Sequence, residues 1–404
     1  MSTDNAISVS ADAMAHSHRV CSFLRDQIIK QGGWLPFSAW MHHALYAPGL
    51  GYYAAGSVKL ADNTPNAKRL TGDFITAPEL TPLFGQTLAN QVAEILSSCE
   101  SLNVLEFGAG TGALADDVLT HLDVLGIKAQ YTILEVSADL KARQQTRLAS
   151  WGDRIRWLDQ APTAFIGCVL ANEVLDAMPV DVFAWSLPTE EGANPHVLQR
   201  GIALNKAANP DAQFVWQDRL ADTSLAETIA QRCPAMPGYQ SEINLRGEAW
   251  IKETAGWLTK GAAILIDYGF PRSEYYHPQR HRGTLMCHIQ HRAHDNPFLA
   301  PGLQDITAHV DFTAMADAAL ASGLDVLGYT SQARFLINAG LTELIMSRQR
   351  DEGFPVQARM TMNNAVQKLI SEAEMGELFK VLVIGRGLEP SLMGFSRGDR
   401  RHQL

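Results

Sequence analysis

Three glycines at alternate positions constrain the fold of this chain more than any other feature. The short run 103–107 is mainly apolar and leads directly into Gly108, Gly110 and Gly112. Residues from Ala113 onward have the composition of a helix start. A strand, a tight glycine turn and a helix form the first βαβ step of a nucleotide-binding α/β domain. We expect a sharp turn at Gly108, a close backbone approach to a ligand at Gly110, and helix–strand packing at Gly112.

Glycine spacing alone leaves two cofactors open. Gly108, Gly110 and Ala113 also fit the pattern G-x-G-x-x-A, so a dinucleotide-dependent oxidoreductase remains an alternative. Glu106 favours S-adenosylmethionine, because its carboxylate can receive the ammonium group of that ligand, either directly or through water. The same carboxylate would repel the diphosphate of a dinucleotide.

Polar side chains also follow the next two predicted strands. Glu135 ends the strand that begins at Tyr131 and is expected to accept hydrogen bonds from both ribose hydroxyls, a role that fits either cofactor. Asp159 or Gln160 ends the strand after it and is placed to meet an adenine amino group. The plainer interpretation is that Glu106 and Glu135 are solvated strand ends.

Size and composition narrow the class of protein. With 404 residues, 46% of them hydrophobic, the chain can bury a large core and form two lobes. Its five cysteines are scattered singly, which suits a reducing cytoplasm rather than a disulfide framework or a zinc knuckle. The formal charge of -10 argues against general nucleic-acid binding. Residues 1–17 lack the features of a signal peptide, and no apolar run approaches the roughly 20 residues that span a bilayer.

The order of predicted elements indicates an α/β fold with a Rossmann-like sheet that is mostly parallel and has an antiparallel last strand. We predict five segments. They are a disordered N-terminus at 1–15, a helical cap or lid at 16–99, a cofactor-binding core at 100–182, an antiparallel β-rich insertion at 183–244, and the rest of the core at 245–404, which includes a long polar loop at 270–311.

Residues 72–80 lie just before a long amphipathic helix predicted from Thr81 to Ser98. Two interpretations of this segment remain open. It could be a capped helix entry, in which Thr76 or Glu79 satisfies free backbone N–H groups. It could equally be a lid over the cofactor.

An acidic segment follows the most continuous apolar run of the core, residues 167–172, which is typical of a central parallel strand. Because ligands of open α/β sheets lie beyond the carboxyl ends of the strands, Asn172, Glu173 and Asp176 are expected over the reacting methyl group. A carboxylate pair can grip two guanidinium nitrogens and draw charge from the third. Asp267, at the end of the next core strand, is a reserve candidate. Helix capping is the alternative for Glu173 and Asp176, and Asn172 could instead orient an amide or amine.

The predicted polar loop contains three evenly spaced histidines. Three histidines could bind zinc, but two nearby prolines favour irregular structure, so we predict no metal site. We expect the loop to contact the substrate, braced by residues at its end. The histidines are His288, His291 and His294, and the bracing residues are Asp305, His309 and Asp311.

Five blocks, spread over most of residues 30–340, together resemble the MidA-like class I methyltransferases, whose mitochondrial members assist assembly of respiratory complex I. The glycine block is shared by many methyltransferases, whereas the other four are far more specific. The blocks are GDFITAPELTPLFG (72–85), LEFGAGTGALA (105–115), ANEVLDAMPV (171–180), ILIDYGFPRSEYYHP (264–278) and PGLQDITAHVDFT (301–313).

The resemblance implies S-adenosylmethionine as cofactor and, for the mitochondrial members, symmetric dimethylation of an arginine on a complex I subunit. It implies a substrate-facing end around residues 172–176. The cofactor contacts that it implies are Gly108, Gly110, Glu135 and the segment from Gly72 to Thr76, which includes Asp73.

We therefore predict a cytoplasmic methyltransferase that acts on a protein arginine. The alternative is an assembly factor or chaperone that binds S-adenosylmethionine without turnover. Exposed aromatic and loop residues in 270–311 would suit either a protein partner or a second copy of the chain in a homodimer.

Overall fold

A computed structural model describes residues 9–55, 76–188, 194–205, 213–290, 292–350, 355–389 and 391–404. The strands in these ranges are β1 Trp34–Pro36, β2 Asn103–Phe107, β3 Gln130–Leu134, β4 Ile155–Leu158, β5 Phe165–Asn172, β6 Asp181–Trp185, β7 Val197–Leu204, β8 Phe214–Leu220, β9 Gln240–Ile243, β10 Leu258–Phe270, β11 Met286–Ile289, β12 Arg292–His294, β13 Asp305–Thr307, β14 Val310–Asp311, β15 Asp325–Ser331 and β16 Phe379–Arg386.

The helices are α1 Ala11–Lys30, α2 Phe37–Tyr46, α3 Ala77–Leu80, α4 Pro82–Cys99, α5 Ala113–Val124, α6 Ala138–Arg147, α7 Thr223–Arg232, α8 Leu245–Trp257, α9 Arg272–Tyr275, α10 Phe312–Ala321, α11 Gln332–Asn338, α12 Leu341–Arg350, α13 Val356–Ile370 and α14 Met375–Leu378. Among these helices, none is both long enough and apolar enough to cross a membrane.

The chain forms two compact units, each built from separated stretches of sequence. The described residues of the first unit fall within Met1–Phe74, Ala177–Arg246 and Ser273–Ala308. Those of the second unit fall within Ile75–Asp176, Gly247–Arg272 and His309–Leu404.

The second unit contains a sheet with the strand order β15-β16-β10-β5-β2-β3-β4, and β14 also pairs with β10. Strands β10, β5, β2, β3 and β4 run parallel, while β16 is antiparallel to both β10 and β15. The predicted Rossmann-like sheet with an antiparallel last strand is therefore confirmed. The carboxyl ends of β2, β3, β5 and β10 meet at one edge, which is where the candidate site lies.

Burial explains why the central strands lack alternation. Residues 167–171 of β5 and 261–267 of β10 are all buried, because a parallel sheet in an α/β unit is covered on both faces. Helix α4 packs tightly against α5: a Cβ added at Gly85 would lie 2.5 Å from Cβ of Asp117. This close contact makes α4 part of the core rather than part of a cap.

The first unit is mainly antiparallel. Its larger sheet has the order β1-β7-β6-β9, with β8 on β7, so the predicted antiparallel insertion is present and also takes in β1 from the N-terminal region. Helices α1 and α2 bury Leu24, Ile28 and Trp40 in the core of this unit. A smaller sheet has the order β12-β11-β13.

Three predicted boundaries differ from the structure. Helix α1 begins at Ala11, where the Ser10 hydroxyl accepts a hydrogen bond from the Ala13 amide at 3.3 Å, so the prediction of disorder is wrong for residues 11–15; residues 1–8 lie outside the described part. The predicted cap 16–99 is divided, because α1 and α2 belong to the first unit and α3 and α4 to the second. The first unit resumes at Ala177, before the predicted end of the core at 182.

The prediction of a long polar loop at 270–311 is also wrong. Instead of irregular chain, this segment contains α9, β11, β12, β13 and β14. In the three-stranded sheet, β11 and β12 form a short hairpin in which Cys287 lies opposite His294. On the other side of β11, Cys287 lies opposite Ile306 of β13, which is more distant in the segment. Such pairing leaves no local signal in a polar sequence.

Candidate functional site

The glycine turn after β2 has left-handed backbone conformations at all three glycines. The φ angles are +63° at Gly108, +53° at Gly110 and +84° at Gly112. Among the described residues, no heavy atom lies within 4 Å of a Cβ added at Gly110, so there is space beside this backbone. The close approach of a ligand there stays a prediction. A Cβ at Gly112 would lie 3.1 Å from Cδ1 of Leu148, just after α6. The glycine at position 112 therefore leaves room for Leu148, which follows α6. The predicted packing of α5 against β2 is not the reason that a glycine is needed there.

Gly108 brings the turn next to the acidic segment that follows β5. A Cβ added at Gly108 would lie 3.2 Å from Cγ2 of Val174. Val174 stands between Glu173 and Asp176 in sequence. The glycine turn and the acidic segment are therefore neighbours, which is the arrangement expected of residues at the carboxyl ends of adjacent parallel strands.

Glu106 lies near the end of β2 and is only 2% exposed. Its Oε2 accepts a hydrogen bond from the hydroxyl of Tyr131 at 2.8 Å. Burial raises the pKa of the Glu106 carboxyl to about 8, an effect opposed by the Tyr131 hydroxyl and reinforced by the negative charge of Glu135. Glu106 is therefore not a solvated strand end, and its contact with a ligand ammonium remains a prediction.

Glu135 follows β3 and is also buried. Its Oε1 accepts a hydrogen bond from the Ser137 amide at 2.9 Å, and its Oε2 accepts one from Nε2 of Gln144 at 2.9 Å. Burial raises the pKa of this carboxyl, while these donors oppose the rise. Each carboxylate oxygen can accept two hydrogen bonds, so acceptor capacity remains for a ribose diol.

Asp159 has surroundings unlike those of Glu106 and Glu135. Its side chain is 82% exposed, and its Oδ1 lies 2.8 Å from Nζ of Lys141. A contact of Asp159 with an adenine amino group stays a prediction. Gln160 is likewise exposed.

The segment predicted as a lid is described only from Thr76 onward; Gly72 and Asp73 lie outside the described residues. Thr76 precedes α3, but its side chain makes no capping hydrogen bond. Glu79 is not a cap either, because its carboxylate accepts a hydrogen bond from the hydroxyl of Thr111 in the glycine turn. Arg147 donates to the same hydroxyl at 2.8 Å and lies 3.7 Å from Glu79 Oε1.

Asn172 and Glu173 lie side by side at the end of β5. Nδ2 of Asn172 donates to Oε1 of Glu173 at 3.1 Å. Glu173 has a φ of +54°, a left-handed conformation that is strained for a residue with a side chain and that persists only where the surrounding structure holds it. Its backbone N–H donates to the carbonyl of Ile266 at 2.8 Å, which ties the strained residue to β10. Residues 173–180 form no helix, so the helix-capping alternative does not apply.

Asp176 and Asp267 complete an acidic cluster with Glu173. Asp176 is 4% exposed and accepts a hydrogen bond from the hydroxyl of Tyr268. Asp267 is 1% exposed; its Oδ2 accepts from the amides of Leu175 at 3.0 Å and Asp176 at 3.2 Å. Burial, followed by the negative charges of Asp176 and Glu173, raises the pKa of Asp267 well above its ordinary value. A cation placed among these carboxyl groups would relieve that repulsion.

The structure brings together most of the residues expected at the site and adds partners that sequence reasoning missed. Gln144, Tyr268 and Arg147 were not predicted. Tyr268 had a detectable signal, since it directly follows Asp267 in a strand predicted to end at the site. The sequence signal for Gln144 and Arg147 was their position on the helix after Glu135. This signal was too weak to select them.

The histidines of the predicted loop are built into strands. His288 lies in β11 opposite Ala293, and His294 lies in β12 opposite Cys287. His291 lies outside the described residues. Within the described ranges, no group of three or more His, Cys, Asp or Glu side chains is arranged to hold a metal ion. His309 stacks on Phe270 with ring centroids 5.4 Å apart, and Asp311 caps α10 through the Ala314 amide at 3.1 Å.

The glycine turn with open space at Gly110, the buried acceptor at Glu135 and the carboxyl at Glu106 suit a ligand that carries a diol and an ammonium group. Comparison with known proteins agrees. Residues 87–330 match a family model described as "Putative S-adenosyl-L-methionine-dependent methyltransferase". A crystal structure from Burkholderia thailandensis, solved bound to S-adenosyl-homocysteine, is 44% identical over 99% of this chain and 100% of that one, with a TM-score of 0.89.

Curated relatives are more distant. The mouse protein named "Protein arginine methyltransferase NDUFAF7, mitochondrial" is 27% identical over 92% of this chain and 86% of its own length. The human protein of the same name is 26% identical over 88% of this chain and 81% of its own length.

Proposed function

Because this chain belongs to the family of S-adenosyl-L-methionine-dependent methyltransferases, we propose that it methylates a guanidinium nitrogen of an arginine in a protein. Its cofactor is S-adenosyl-L-methionine, and the glycine turn with Glu106 and Glu135 would hold it. The names of the mouse and human relatives support arginine as the substrate. Dimethylation of a respiratory complex subunit is a further part of the proposal, supported by the motif resemblance, and a cytoplasmic location is another, supported by cysteine usage. Self-association stays a prediction. The exposed aromatic residues expected for it at 270–311 are not found, because no Phe, Tyr or Trp among the described residues of that segment is exposed, and Tyr275 and Tyr276 are buried.

The observation that carries this proposal is the acidic cluster of Glu173, Asp176 and Asp267. These carboxyl groups end two adjacent core strands, and Val174 places them beside the glycine turn. Burial first, and then the negative charges of Asp176 and Glu173, raise the pKa of Asp267 well above its ordinary value. A guanidinium is always protonated and presents five N–H donors in a planar fork, so it matches several carboxylates better than a neutral substrate would.

The less reactive partner in this methyl transfer is the methyl acceptor, not the methyl donor. When bound, the cofactor supplies an electrophilic methyl group on a sulfonium. The guanidinium is a weak nucleophile because its charge is delocalised over three nitrogens. Two carboxylates bound to two of the nitrogens would localise positive charge there and leave the third nitrogen richer in electrons. We assign this role to Glu173 and Asp176, with Asn172 holding Glu173 in place through its Nδ2.

The remaining requirement is an acceptor for the proton that leaves the methylated nitrogen. The new N–CH₃ bond forms as the S–CH₃ bond breaks, and one N–H proton must depart. Glu173 is the carboxylate best suited to take it, since it is more exposed than Asp176 and can pass the proton to water. In this proposal one oxygen of Glu173 holds a neighbouring nitrogen and the other takes the proton of the methylated nitrogen. Asp267, held by three backbone amides, acts as a support for residues 175 and 176.

The experiment is methyl transfer from methyl-deuterated S-adenosylmethionine to cell-extract proteins, read by mass spectrometry of arginine peptides. The wild-type protein should label arginine, and Glu173→Gln should abolish labelling while leaving S-adenosylhomocysteine affinity nearly unchanged. Glu253→Gln, which alters an exposed carboxylate on α8, is the matched control and should keep full activity.

Full labelling by the Glu173→Gln variant would show that Glu173 does not have the role assigned to it. Cofactor binding by the wild-type protein with no labelled arginine peptide in any extract would instead support the assembly-factor alternative. Label on another residue type would replace arginine as the substrate.

A further inference from the structure

One face of helix α6 carries three side chains that reach the predicted cofactor contacts. Lys141, Gln144 and Arg147 are spaced three apart, so they lie along one side of the helix. Lys141 contacts Asp159, and Arg147 contacts Thr111 in the glycine turn. Gln144, between them, contacts both Glu135 and the carbonyl of Gly110. A single helix therefore links the turn to the residues that follow β3 and β4.

Gln144 is the only one of these three that is buried, with 0% exposure. Its Nε2 donates to the Gly110 carbonyl and to Glu135 Oε2, each at 2.9 Å. Its Oε1 accepts a hydrogen bond from the indole Nε1 of Trp157 at 3.0 Å. Because an indole N–H can only donate, the amide of Gln144 has one possible orientation. Trp157 thus ensures that the NH₂ group faces Gly110 and Glu135.

The consequence for Glu135 is that both oxygens of its carboxylate are held. Oε1 accepts from the Ser137 amide and Oε2 from Gln144, which defines the plane of the carboxylate. The remaining lone pairs then have a defined direction. A vicinal diol needs two acceptors at a set separation, so a carboxylate that is free to rotate would recognise it poorly.

We propose that Gln144 is the positioning residue for ribose recognition, because it holds Glu135 and the glycine turn in one arrangement that accepts the vicinal diol of the cofactor. Gln144 acts through Glu135 and Gly110. This inference rests on cofactor binding alone and is independent of the arginine substrate, so it can be tested without a methyl acceptor.

The test compares binding of S-adenosylhomocysteine and its 2′-deoxy analogue by calorimetry. Wild-type protein should prefer the ribose form by about tenfold or more, the usual range for a hydrogen bond to a charged group. Gln144→Met keeps the size of the side chain and removes both donors, and should reduce that preference to about twofold to threefold. Arg143→Met, on the same helix but in a surface ion pair with Asp139 at 2.8 Å, is the matched control and should keep the wild-type preference.

If Gln144 contributed only to the stability of the fold, the two ligands would be affected differently from this expectation. If Gln144→Met weakened both ligands equally and kept the wild-type preference, the proposal would be overturned. A wild-type protein with no preference for the ribose form would overturn it as well. If Gln144→Met fails to fold, Trp157→Phe is the second variant to test. It removes only the N–H donor that orients the Gln144 amide, and it should partly lower the preference for the ribose form. An unchanged preference in Trp157→Phe would also count against the proposal.

Discussion

Tyr268 donates its phenolic hydrogen to the carboxylate of Asp176, across 92 positions of sequence. The two residues lie at the ends of adjacent strands, one just beyond β5 and the other within β10. The ring of Tyr268 packs edge-on against Phe379, with centroids 5.4 Å apart. This packing restricts the tyrosine, and the tyrosine in turn restricts one carboxylate of the acidic cluster.

We expect Tyr268→Phe to lower methyl transfer by about tenfold to a hundredfold, because a hydrogen bond to a charged group contributes roughly 1.5–3 kcal/mol. The affinity for S-adenosylhomocysteine should stay close to that of the wild type, since the hydroxyl that is removed donates to Asp176 in the acidic cluster. Labelling of arginine peptides and calorimetry measure the two quantities.

The matched control for this change is Tyr276→Phe. Its hydroxyl donates to the main-chain carbonyl of Glu242 at 3.2 Å, in the other unit of the chain. That variant should lose some stability and keep its rate of methyl transfer. Equal rates for Tyr268→Phe and the wild type would show that Asp176 needs no hydroxyl to hold it.

Glu106 should make stability depend on pH. Its pKa in the folded protein is about 8, above the ordinary value, so the folded state binds a proton more tightly than the unfolded state. The stabilisation is therefore complete below the ordinary glutamate pKa of about 4.3 and is lost as pH rises toward 8. Relative to Glu106→Gln, the wild type should lose on the order of a few kcal/mol between pH 5 and pH 8. Denaturant unfolding of both proteins at several pH values measures this difference.

Saturating S-adenosylhomocysteine gives a second readout for Glu106. If the ligand's ammonium group approaches this carboxylate, it will favour the ionised form and reduce the loss of stability with pH. A pH dependence that is identical with and without the ligand would remove Glu106 from the cofactor contacts.

Thr111→Val should weaken S-adenosylhomocysteine binding by about threefold to tenfold, the range for one or two ordinary hydrogen bonds. The Thr111 hydroxyl donates to Glu79 and accepts from Arg147, so it holds the glycine turn from two sides. Thr146→Val is the control, because that exposed hydroxyl bonds only to the carbonyl of Ala142 in its own helix. Unchanged affinity in Thr111→Val would mean that the turn needs no such restraint.

Gly85→Ala should destabilise the second unit by about 1–3 kcal/mol, the usual cost of overpacking. The new methyl group would lie 2.5 Å from Cβ of Asp117, so α4 and α5 would have to separate. In contrast, a methyl group added by Gly256→Ala in helix α8 has no heavy atom of the described ranges within 4 Å, and this change should stabilise by about 0.5–1 kcal/mol. Denaturant unfolding distinguishes the two, and equal effects would contradict the tight packing of α4 on α5.

The sequence alone was sufficient for the features that depend on neighbouring residues. The glycine turn, the apolar runs of β5 and β10, and the helices after them follow from local conformational preference and hydrophobic periodicity. The acidic residues at the ends of these strands could be predicted as site residues because parallel strands place their carboxyl ends at one edge.

Only the tertiary structure decided which side chains support those residues. The Tyr268–Asp176 hydrogen bond, the contact of Gln144 with Gly110, and the pairing of β13 with β11 each join residues that are well separated in sequence. Judged from the neighbouring sequence alone, each of these polar residues could equally have been solvated at the surface. Burial made the difference, because a buried polar group must find a partner, and the folded chain determines which partners lie within reach.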